Sequence, residues 1–134
     1  MQSEAIGFGL TLERDFDSAL AEVTEALKEE GFGVLTEIDV KATLKKKLDV
    51  DFKRYQILGA CNPPLAYRAL SAQSSIGLML PCNVTVSEID EGSVEVAFID
   101  PILMMNVVGN PELESIAQEA KDRLQRVAVA LEEK

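Results

Sequence analysis

The chain reads as an α+β fold, a mainly antiparallel sheet of about five strands with helices packed on one face. Three observations predict it. Segments in which apolar residues alternate every second position are interleaved with segments of helical spacing. Two alternating segments near the end are joined by the turn Asp90-Glu91-Gly92, and such a hairpin requires antiparallel pairing. The strands at 6–12 and 76–88 each carry one apolar and one polar face, as expected of a sheet covered on one side only.

The elements follow in the order β-α-β-α-β-α-β-β-α. In the first strand Ile6, Phe8, Leu10 and Leu12 share one face, with Gly7, Gly9 and Thr11 on the other. Asp15 offers an N-cap to a helix over 16–30 whose stripe is Phe16, Ala19, Leu20, Val23 and Leu27. Gly31 ends that helix, and Phe32 can fold back onto Leu27 as a Schellman cap requires. Val34, Thr36, Ile38 and Val40 form the second strand, and Asp39 caps a short helix carrying Ala42, Leu44 and Leu48. The third strand is Tyr55 to Cys61. Asn62-Pro63-Pro64 then opens a helix that buries Ala66, Ala69 and Leu70, because Asn caps well and Pro suits the first helical position.

Along 76–88, Ile76, Leu78, Leu80, Cys82, Val84 and Val86 form one face of a strand. Pro81, which cannot donate to a ladder, marks an edge or a bulge. Val94, Val96 and Phe98 are its hairpin partner, which Asp100-Pro101 breaks. Asn110-Pro111 repeats the cap-then-proline pattern, and Leu113 to Leu131 carry the longest helical stripe, with Glu112 and Glu114 suiting the dipole of the first turn.

At 134 residues the chain is sized for a single domain, 1–134. Hydrophobic residues make up 47% but aromatics only 5%, and Trp is absent, so aliphatic side chains fill the core. A net charge of −10 argues against nucleic acid and against anionic membrane surfaces, both of which need clustered Lys and Arg. The run Lys45-Lys46-Lys47 is read as the wet face of the short helix. No stretch approaches the roughly 18 apolar residues of a membrane span, and Met1 to Leu12 lack the pattern of a signal peptide. A cytoplasmic protein is expected. Two cysteines are too few for a disulfide framework and are expected as thiols.

Histidine is absent, which removes the commonest general base and every Ser-His or Cys-His pair. Gly7-Phe8-Gly9 lies inside a strand and is no phosphate loop. The carboxylates sit on helix surfaces and at caps. The chain therefore reads as non-catalytic and without a cofactor. Its sharpest chemical signal is the pair of short motifs Gly59-Ala60-Cys61-Asn62 and Leu80-Pro81-Cys82-Asn83. Cys61 immediately precedes a helix N-cap, where amide dipoles favour a thiolate. The competing reading is that both cysteines are small buried apolar residues. Met104 and Met105 follow the Asp100-Pro101 break. Thiolates with thioethers suit Cu(I), whereas gap-filling is the ordinary role of Met, and two cysteines cannot close a zinc site.

The stretches Ile57 to Ala66 and Ile76 to Val84, with Asp100-Pro101 and Gly109-Asn110-Pro111-Glu112-Leu113, resemble domain-of-unknown-function family 302 over nearly the whole chain. The resemblance implies a TATA-box-binding-protein-like α+β fold, often dimeric, and no activity that can be transferred. Tyr67 departs from the family pattern, in which His is common after the Asn-Pro-containing motif. Fold likeness does not import DNA binding, because function lives in sites and not in folds.

Two functions follow. The first is a non-catalytic module that binds a small ligand or a protein, forming a homodimer through an exposed strand around Pro81. The alternative is a thiol redox or soft-metal, Cu(I), site centred on Cys61 with Cys82. The candidate residues are Cys61, Asn62, Cys82, Asn83 and Tyr67, with Cys61 and Cys82 as the metal ligands.

Overall fold

The computed structural model describes residues 1–3 and 5–134. Most of its helices begin where short acceptor side chains meet unpaired backbone N–H groups. Helix α1 (Phe16–Glu29) starts at Asp15, whose carboxylate accepts the Ser18 N–H at 2.8 Å. It ends at Gly31, whose φ of +84° is one that L side chains rarely adopt. There the Gly31 N–H donates to Lys28 O at 3.0 Å and the Phe32 N–H to Leu27 O at 2.9 Å, the two bonds of a Schellman motif. Helix α2 (Val40–Leu48) is capped by Asp39, carries the Lys run and buries no side chain.

Helix α3 (Pro63–Ala72) is capped by Asn62, α4 (Pro101–Val108) by Asp100, and Asn110 caps the 3₁₀ turn Pro111–Leu113 that leads into α5 (Glu114–Glu132). One device serves three times: an acceptor side chain followed by a residue with no N–H to satisfy.

The strands are β1 (Gln2–Ser3), β2 (Gly7–Leu12), β3 (Gly33–Asp39), β4 (Tyr55–Cys61), β5 (Cys82–Asp90) and β6 (Ser93–Ile99). They form one antiparallel sheet in the order β1-β2-β6-β5-β4-β3. Alternation sends Phe8, Leu10, Leu12, Leu58, Val84, Val86, Val94, Val96 and Phe98 to one face. Ala19, Val23 and Leu27 of α1 meet them there, as do Leu124, Val127 and Leu131 of α5, all in one buried cluster. The two long helices thus share a face, as predicted. The Phe8 and Phe98 rings stack at 5.3 Å between centroids. A smaller buried cluster lies where α3, the segment after it and the first turns of α5 meet: Leu65, Ala69, Ile76, Leu113, Ile116 and Ala120.

The structure corrects several expectations. The sheet has six strands, not about five, because Gln2 and Ser3 add a short strand to β2. Helix α4 is additional: Asp100-Pro101 starts a helix as well as ending a strand. Ile6 lies outside β2 and is 70% exposed. In α3 the buried residues are Leu65 and Ala69, whereas Leu70 is exposed. Residues 76–88 are not one strand: Ser74–Met79 is a 3₁₀ helix and β5 starts at Cys82. The alternation there is deceptive. Ile76 is buried while Leu78 is 90% exposed, and a three-residue period turns Ile76 and Met79 inward together. Finally, β5 is flanked by β4 and β6, so Pro81 exposes no pairing edge. The edges of the sheet are β1 and β3.

Candidate functional site

The smaller cluster does not close completely. A cavity of about 290 Å³ remains between the ends of β4 and β5 and the helices α3, α4 and α5. Its origin is legible in side-chain volume. Ala66 and Ala69 on α3 and Ala117 and Ala120 on α5 repeat at a spacing of three, so each helix turns a row of methyl groups toward the space. Side chains this short cannot reach across, and the gap persists because neighbouring elements relax only partly.

The walls are held by bonds that run between elements. Asn62 accepts the Leu65 N–H at 3.3 Å and donates through Nδ2 to Glu30 O at 3.4 Å, fastening the start of α3 to the end of α1. Asn110 Nδ2 donates to Gln73 Oε1 at 2.9 Å, tying the approach to α5 to the end of α3. Lys121 Nζ lies 3.0 Å from Asp100 Oδ2, which sets the start of α4 against α5.

Both cysteines line the cavity. The β4–β5 register places Ala60 opposite Cys82, and Cys61 follows where β4 turns into α3. Cys82 is buried and Cys61 half-buried, both as free thiols. Burial pushes the Cys82 thiol up to about 11, and the neighbouring Cys61 adds to the rise. Met104 and Met105 of α4 line the same space. Asn62 also borders it, with its amide engaged in the two bonds above. Asn83 and Tyr67 do not. Asn83 pairs with Gly59 on the sheet and is exposed, and Tyr67 is 75% exposed on α3. Among the described residues no three Cys, Asp or Glu side chains gather as ligands for a metal ion. Nor is any described helix long and apolar enough to cross a membrane.

The family model of the domain of unknown function DUF302 matches residues 8–131. The chain belongs to this family. This DUF302 chain is also similar to the crystal structure of an uncharacterized conserved DUF302 protein from Bacillus stearothermophilus, at 28% identity and a TM-score of 0.85, covering 94% of this chain and 98% of that one. No curated protein matches the chain. The family match leaves out β1 and the first residue of β2 but takes in the other strands, both long helices up to Leu131 and every wall of the cavity, so the candidate site lies wholly within the DUF302 domain.

Cys61, Cys82, Met104 and Met105, singled out from the sequence, all line the cavity. Leu65, Leu80, Ile116 and the paired alanines line it too, without standing out in the sequence as lining residues. The signal was present as alanines three apart on two helices, a pattern that marks helix faces with little side-chain reach.

Proposed function

We propose that this DUF302 protein is a non-catalytic binding module that holds a small apolar molecule in the cavity between its sheet and helices. One observation carries the reading. The space is lined almost wholly by aliphatic side chains, thiols and thioethers, and its volume falls near the lower end of small-ligand pockets, about 300 Å³. An apolar guest replaces contacts that the lining lacks.

Thermal melting in the presence of benzene, indole or a short alkanol tests the reading. A probe that binds raises the Tm, by about 2.7 kcal/mol of added stability at 100 times its Kd. Ala66→Phe, which places a ring in the cavity, is expected to abolish that shift. No response to any probe, or an equal response in the Ala66→Phe variant, would overturn the proposal.

The other reading, thiol chemistry at Cys61 and Cys82, is supported by their shared position on one cavity wall. A single domain over 1–134 is supported by α5, which contributes to both buried clusters. A sheet with two long helices on one face supports a TATA-box-binding-protein-like fold, and two free thiols support a cytoplasmic location. The acidic charge remains the argument against nucleic acid.

We also infer a homodimer, formed through the sheet face that α1 and α5 leave uncovered. In register across the strands that face carries Gly9, Ala97, Thr85 and Ile57, then Thr11, Glu95, Ser87 and Tyr55. Glu95 is the one charged residue among these, in a chain of net charge −10, so a second copy meets little repulsion there. Sedimentation at micromolar concentration is expected to give twice 14.6 kDa, and Thr85→Arg to give the monomer. A wild-type species of monomer mass would refute it.

A further inference from the structure

We propose that the cavity is a Cu(I) site, with Cys61 supplying thiolate sulfur, Cys82 a neutral thiol sulfur, and Met104 and Met105 thioether sulfur. The inference extends the thiol reading and uses the same space as the apolar-ligand reading. Its basis is a concentration of sulfur. The chain contains two Cys and four Met, and four of these six side chains line one cavity. Cys61 and Cys82 come from the ends of adjacent strands, and Met104 and Met105 from helix α4.

The chemistry suits a soft monovalent ion. Cu(I) prefers thiolate and thioether donors, and accepts fewer ligands than zinc. When it binds, the Cys61 thiol releases its proton to solvent and a Cu–S bond replaces the S–H bond, while the Cys82 thiol keeps its proton and donates a lone pair. The thioethers donate lone pairs and no electron changes hands. One thiolate balances one Cu⁺, so the complex is neutral, and a neutral complex is what an aliphatic cavity tolerates. Zn²⁺ would keep a net positive charge with the same donors, and neither His nor a clustered carboxylate stands by to offset it.

The test is anaerobic titration of the full chain with Cu(I) against a chromophoric chelator, with X-ray absorption on the loaded protein. One Cu(I) per chain in an all-sulfur shell is expected. The Cys61→Ser/Cys82→Ser variant is expected to lose more than about 100-fold in affinity, because ligand loss exceeds the 10- to 100-fold effects of outer-shell partners. Met104→Leu/Met105→Leu, a swap that conserves volume, is expected to weaken binding about tenfold while leaving the apo-protein melt close to wild type. Retained affinity in either double variant, or failure to take Cu(I) from the chelator, would overturn the site. The benzene or indole shift in the Cys61→Ser/Cys82→Ser variant separates the two readings. If it persists while Cu(I) binding never occurs, the metal site alone fails. If Cu(I) binds and no apolar probe does, the apolar-ligand reading alone fails.

Discussion

Leu124→Asp is expected to leave the protein unfolded at room temperature. Leu124 sits on α5 with no exposed surface, inside the cluster that joins α5 to α1 and the sheet. Removing a buried Leu costs about 2–5 kcal/mol, and an uncompensated buried charge costs about 3–5 kcal/mol. Together these approach the whole stability of a typical domain, about 5–15 kcal/mol. Circular dichroism through a thermal ramp checks the result. A cooperative melt within a few degrees of the wild type would show that the α5 stripe is not core.

Gly59→Val is expected to destabilise the protein by about 1–3 kcal/mol, the usual cost of forcing extra carbon into packed space. A Cβ at Gly59 would overlap the Thr36 hydroxyl on β3 and lie 2.7 Å from Pro81 Cγ just before β5. Thr36 can rotate its hydroxyl aside, but a proline ring cannot withdraw without moving the chain that delivers Cys82. The substitution should therefore lower the denaturant midpoint and also speed alkylation of Cys82, whose burial depends on that chain. A normal midpoint with unaltered Cys82 labelling would mean that β3 and Pro81 yield without cost.

Much of this fold is written in local chemistry. Asp15, Asp39, Asn62 and Asn110 each cap as their side chains allow, and Gly31 takes the left-handed conformation that the Phe32–Leu27 fold-back needs. Two misreadings have separate local causes. Asp100-Pro101 has the same cap-then-proline form as Asn62-Pro63, yet a proline after a strand reads most simply as a stop. Ile76, Leu78 and Leu80 alternate as a strand does, but alternation over three apolar residues is also compatible with a 3₁₀ helix. Pro81, lacking an N–H, then separates that helix from β5.

The site was less legible than the fold. Cys61 was marked by its place beside Asn62, and Cys82 by its place in an apolar row. That they border one space depends on the β4–β5 register, in which Ala60 faces Cys82. Register is a non-local property, and no motif in either segment encodes it. The void itself comes from what the alanines of α3 and α5 leave out, which a search for reactive side chains passes over.

The division of the interior into two clusters bears on how anything enters it. Helix α5 is the spine of both: Leu124, Val127, Ala128 and Leu131 belong to the larger cluster, Ile116 and Ala120 to the smaller. Loosening α3 and the 3₁₀ segment after it exposes only the smaller set, so this opening lies lower in free energy than global unfolding. The sheet and the C-terminal turns of α5 stay assembled while it happens. A sub-global excursion that loosens the chamber's walls would thus leave the strand register, and with it the placement of both thiols, undisturbed.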